Sequence, residues 1–64
     1  MNKREMMLRQ INATLKIEKE YVRKFNDLLK SPNITEENRI IIEELKQASL
    51  EAIARHKRFR LLYM

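Results

Sequence analysis

Cysteine, glycine and tryptophan are absent from this chain, and proline occurs once, at Pro32. Without cysteine there are no disulfides and no thiolate metal sites. A lone histidine, His56, argues against a transition-metal centre, which usually gathers several imidazole or thiolate ligands. Without glycine there is no glycine-rich loop to cradle a phosphate. Apolar runs are no longer than Leu61-Leu62-Tyr63-Met64, far short of the roughly 20 residues needed to cross a bilayer. Lys3, Arg4 and Glu5 are not followed by the apolar stretch of a secretory signal, so a cytosolic location is expected. Catalysis is not expected either. Ser31 and Ser49 are distant from His56 in any hairpin register, so no nucleophile–base pair forms. The adjacent carboxylates Glu36-Glu37 and Glu43-Glu44 point to different sides of a helix. The expectation is a non-enzyme with no cofactor and no metal.

What remains is a chain of 64 residues, enough for one small domain. Chains this short bury a limited share of their surface and usually need disulfides, a metal or a partner chain. With the first two removed by composition, association with another chain is the expected route to stability.

The one break lies at Ser31-Pro32-Asn33-Ile34-Thr35. Proline lacks an N–H and its ring clashes with the preceding turn, and it pushes Ser31 out of helical geometry. Thr35 offers a hydroxyl to the free amides of a new helix, and Glu36 and Glu37 sit at its positive end. A helix over about 2–30, a turn at 31–35 and a helix over about 36–63 follow, each helix on the order of 42 Å long at 1.5 Å per residue. In the first, Leu8, Ile11, Leu15, Val22, Phe25 and Leu29 recur at three-then-four spacing, interrupted by Glu18. In the second, Ile41, Leu45, Ala48, Ala52, Phe59 and Leu62 do so, interrupted by Arg55.

The short connection makes the helices antiparallel neighbours, an all-α two-helix hairpin. Phe25 should then meet Ile41, Val22 should meet Leu45 and Leu8 should meet Phe59. Further apolar residues, Met6, Ile17, Tyr21, Leu28, Ile42, Leu50 and Ile53, are left for a dimer or partner face. Two hairpins packed face to face, a homodimeric four-helix bundle, would cover them. A protein-interaction module of adaptor, inhibitor or assembly type is the alternative.

The formal net charge is +5, from 14 basic and 9 acidic residues. Arg55, Lys57, Arg58 and Arg60 cluster near the carboxyl end, with His56 among them. Cations there complement the helix dipole, but Lys3, Arg4 and Arg9 in the first turns oppose it. The hairpin brings both clusters to one open end, with Glu5 as the nearby acid, while Asp27, Glu36, Glu37, Glu43 and Glu44 lie toward the turn. Such a patch suits phosphate oxygens, and points to nucleic-acid binding through Lys3, Arg4, Arg9, Arg55, Lys57, Arg58 and Arg60. An anionic membrane surface fits less well, because the apolar residues of the tail are not gathered on one face.

The run from Ser31 to Asn38, followed by Ile41 and Leu45 and then by Lys57-Arg58-Phe59-Arg60-Leu61-Leu62-Tyr63, resembles a segment of the amino-terminal, SAM-like core-binding domain of archaeal and phage tyrosine recombinases. The resemblance covers about the second half of the chain. It implies a DNA-binding piece without the catalytic domain, DNA favoured over RNA, and backbone contacts from Lys57, Arg58 and Arg60.

Overall fold

A computed structural model describes residues 2–64. Helix α1 spans Lys3–Leu29 and helix α2 spans Glu36–Leu61. Each starts on a side-chain cap. The Glu5 amide donates to Asn2 Oδ1 at 2.8 Å and the Asn38 amide to Thr35 Oγ1 at 3.1 Å, satisfying donors that have no partner in the first turn. α1 stops where expected. The amides of Lys30 and Ser31 bond back three residues, to Asp27 and Leu28, at 3.2 and 3.1 Å, tightening the last turn before Pro32. Beyond Leu61 the chain continues for two residues in the same tight manner, with Leu62 and Tyr63 donating to Phe59 and Arg60.

The two helices pack against each other as an antiparallel hairpin measuring 49 × 15 × 11 Å. α1 presents its expected stripe. Ile11 and Leu15 are buried at 5% and 3% exposure, and Leu8, Glu18, Val22, Phe25 and Leu29 are half-buried along the same line.

α2 does not present the stripe expected of it. Ile41, Leu45, Phe59 and Leu62 remain 53%, 48%, 45% and 75% exposed, so the expected core pairs Phe25–Ile41, Val22–Leu45 and Leu8–Phe59 do not close a core. The inward side is instead Ile42, Lys46, Ser49, Ile53, His56, Arg60 and Tyr63, with Ser49 buried and the others half-buried. These too follow three-then-four spacing, displaced by one residue, a rotation of about 100°. The physical reason is that α2 carries apolar residues on nearly every side, so hydrophobicity alone does not fix which side faces α1. Small Ser49, 7% exposed, takes the mid-length position against α1. His56 is half-buried, and its Nδ1–H donates to the Ala52 carbonyl at 2.8 Å.

The result is a thin core. The accessible surface is 5217 Å², whereas a compact monomer of 7.8 kDa exposes about 4,400 Å² by size scaling. Twelve large apolar side chains are at least 40% exposed among the described residues.

Candidate nucleic-acid interface

α1 fixes the geometry of the candidate site. Each position of its inner stripe is followed by a polar residue one step further round: Arg9, Asn12, Lys16, Lys19, Arg23, Asn26 and Lys30. All but Asn26 are exposed. At 100° per residue these side chains line one broad side of the hairpin, adjacent to the core. The row is about 31 Å long by the helical rise, and it contains no acid between Arg9 and Lys30. The acidic residues Glu20 and Asp27 fall toward the outer edge of α1, as do Glu37, Glu44 and Glu51 on α2, while Glu43 lies on the same side as Leu50 and Lys57. Among the described residues the one ion pair joins Arg39 to Glu36 at 3.8 Å, within α2. No cation of the row has a carboxylate within 4 Å among the described residues.

Lys16, Lys19, Arg23 and Lys30 do not figure in the sequence expectation, which follows the charge at the chain ends. The signal was present. The cations keep the same spacing as the apolar stripe, offset by one residue, with Glu20 and Asp27 at the outer margin of the row, one turn from Lys16 and Arg23.

The open-end cluster is assembled less tightly than expected. The helix ends do lie together: Met7 and Tyr63 line one groove, and Arg60 Nη1 donates to Asn12 Oδ1 at 3.5 Å. Lys3, Arg4, Arg9, Arg55, Lys57 and Arg58 are all exposed. Their directions differ. Arg9 and Lys57 share the cationic side, Arg58 lies on the outer edge of α2, and Lys3 and Arg55 fall on the opposite broad side. Arg60 turns inward and is half-buried, its Nε enclosed without a partner. The cluster rings the end of the hairpin, and only part of it joins the α1 row.

The other broad side is largely apolar, with Lys3 and Arg55 as cations on it. Ile17, Tyr21 and Leu28 from α1 lie on it with Ile41, Leu45, Ala48, Ala52, Phe59 and Leu62 from α2. Two grooves on this side mark its ends. One, of about 420 Å³, is lined by Met7, Thr14, His56, Phe59, Leu62 and others at the open end. The second, of about 300 Å³, lies between Leu28, Ile34, Ile41 and Ile42 at the turn. Of the residues expected on a partner face, Ile17, Tyr21 and Leu28 gather here. Ile42 and Ile53 lie between the helices, Met6 is on the outer edge of α1, and Leu50 is on the cationic side.

No helix among the described residues is long and apolar enough to cross a membrane, and among them there is no cluster of three or more His, Cys, Asp or Glu residues suited to a metal ion. Comparison with family models, with curated proteins and with solved structures gave no match.

Proposed function

We propose that the protein binds nucleic acid, DNA in preference to RNA, by laying the cationic side of α1 along a phosphate backbone. The observation that supports this reading is the unpaired row of Arg9, Lys16, Lys19, Arg23 and Lys30, extended by Lys57 from α2. A row about 31 Å long spans about nine base pairs at ~3.4 Å each. Its length favours a polyanion over a small phosphate ligand, which would engage only one or two of these cations. Contacts of this kind give affinity and orientation without base choice. The similarity of the second half to a recombinase core-binding domain points the same way, and favours DNA. A cytosolic site of action agrees with it. Self-association into a four-helix bundle belongs to the same reading, because the apolar side lies opposite the row and would leave it open.

The test is binding of the intact protein to a random 20-base-pair DNA duplex, and to RNA of the same sequence, followed by anisotropy across a salt series. Each phosphate contact contributes about 0.9 to the slope of log affinity against log salt. Combined Lys16→Gln, Lys19→Gln and Arg23→Gln should therefore flatten the slope by about 2–3 units. Glutamine keeps helix propensity close to that of Lys and Arg. Combined Lys57→Gln, Arg58→Gln and Arg60→Gln should flatten it less, because those side chains diverge. Unchanged affinity and slope in the α1 variant would remove the idea. Binding confined to anionic vesicles would replace it with a membrane surface.

A further inference from the structure

We propose that two copies of the hairpin pair through their apolar sides head to tail, about a two-fold axis crossing the middle of the helices, so that the turn of one covers the open end of the other. This rests on the self-association included in the reading above, and not on nucleic-acid binding.

Area comes first. The broad side measures 49 × 15 Å, a footprint of roughly 700 Å² per copy against the ~800 Å² per partner of a standard stable interface. A face of that size, populated by half-exposed Ile, Leu, Tyr and Phe, is not a feature of finished monomers. It also holds the best apolar row of α2, which the intramolecular packing leaves outside.

The pattern is self-complementary, as an isologous contact requires. On α2, Leu45 precedes Ala52 by seven residues and Phe59 follows it by seven, with Ile41 and Leu62 beyond them on either side. A two-fold axis near Ala52 sets Leu45 against the partner's Phe59 and Ile41 against the partner's Leu62. Small Ala48 and Ala52 let the two α2 helices approach at the axis. On α1, Met7, Thr14, Tyr21 and Leu28 recur every seven residues, and their midpoint falls beside Ile17. The same axis therefore sets Met7 against the partner's Leu28 and Thr14 against the partner's Tyr21. The two midpoints lie at one level of the hairpin. Thr14 shares the open-end groove with His56, and Leu28 shares the turn groove with Ile42; interpolating between these pairs puts Ala52 level with residue 18.

Charge selects the orientation. A head-to-head pair would also match large residues with small ones, Tyr21 over the partner's Ala48. It would, however, bring the seven cations Lys3, Arg4, Arg9, Arg55, Lys57, Arg58 and Arg60 of both copies to one end. Helix layers pack about 8–10 Å apart, comparable to the ~8 Å Debye length at physiological salt, so that repulsion is only partly screened. Head to tail, each basic end faces a near-neutral end, where Asp27, Glu36, Glu37, Glu43 and Glu44 offset Arg23, Lys24, Lys30, Arg39 and Lys46, so the two basic clusters are kept apart.

Sedimentation equilibrium of the nucleic-acid-free protein should give a mass twice the 7.8 kDa of one chain. Since the chain has no cysteine, introduced thiols report geometry directly. Ala52→Cys should link to itself under mild oxidation, because the axis passes beside it. Linking only in a mixture of Ile17→Cys with Ala52→Cys chains would mean head to head and overturn the orientation. Combined Leu45→Glu and Phe59→Glu should weaken association by at least ~30-fold, judged from the energies of central interface residues. A helical monomer or an unfolded chain, at a concentration where the parent is dimeric, agrees with the proposal. A monomeric parent throughout the accessible concentration range, or a dimer indifferent to the two glutamates, overturns it.

Discussion

α1 and α2 are nearly equal in length, 27 and 26 residues, yet they are built on different plans. α1 is sorted. One side is apolar and packed, the next is cationic, the third carries Ile17, Tyr21 and Leu28, and the outer edge holds Glu20 and Asp27. α2 is not sorted. Leu50 and Leu61 lie on one broad side, Ile41, Leu45, Phe59 and Leu62 on the other, Ile42, Ile53 and Tyr63 between the helices, and Ile40 on the outer edge. A helix that is apolar on most sides belongs inside an assembly, whereas one with a narrow apolar stripe belongs at its surface. The hairpin thus joins a helix with one packed stripe and a sorted surface to a helix that is apolar on most sides.

The largest expected effect separates the two plans directly. Leu15→Ala removes one of the two buried apolar side chains of α1 and should cost about 2–4 kcal/mol. In a chain of this size that lowers the melting temperature by more than ~10 °C. Leu45→Ala should cost under about 1 kcal/mol in dilute protein and more as concentration rises, because its side chain is half exposed until a second copy covers it. Thermal melts at two or three concentrations would show this. A Leu45→Ala penalty equal to that of Leu15→Ala at every concentration would mean that α2 turns its expected row toward α1 after all, and the comparison would fail.

Helix starts give a smaller contrast. Thr35→Ala should cost about 1 kcal/mol, the usual value for losing a capping oxygen, since it opens the first turn of α2 and loosens the connection with it. Asn2→Ala loses the equivalent bond to Glu5 but opens a turn in which Lys3, Arg4, Glu5 and Met6 are all exposed, so about 0.5 kcal/mol is expected. Urea midpoints would resolve the order. Equal effects would show that the turn is held by Pro32 and the packed helices and not by the Thr35 cap.

These differences also explain what could be read from the residues alone. The turn was legible because Ser31, Pro32 and Thr35 each restrict the backbone for a local reason, and the bounds of both helices fell within two residues of expectation. The α1 stripe was legible because polar residues fill the positions on either side of it. The setting of α2 was not, since shifting its inner side by one residue exchanges Ile41 and Leu45 for Ile42 and Lys46 at little cost in buried apolar area. Only the turn geometry and the fit of Ser49 against α1 decide between them, and neither is a property of spacing. For the cationic side the reason differs. Lys16, Lys19 and Arg23 are dispersed along the sequence, unlike the dense clusters at the chain ends, and become a row only once helical.

Arg60 sits where the two plans meet, and it supports the smallest prediction. Its Nη1 reaches Asn12 at 3.5 Å while its Nε is enclosed without a partner. A bond that long contributes little, and an enclosed donor left unpaired carries a desolvation penalty. The aliphatic stem, in contrast, covers apolar surface between the helices. Arg60→Met keeps the stem and removes the unpaired group, so stability should change by no more than about 0.5 kcal/mol, with stabilisation as the expected sign. Arg60→Ala removes the stem too and should cost about 1 kcal/mol. If urea denaturation instead showed both variants equally destabilised, the guanidinium itself would be holding α2 against α1. The inward side of α2 would then be a polar design in its own right, and not the lesser of two faces left by a helix awaiting its partner.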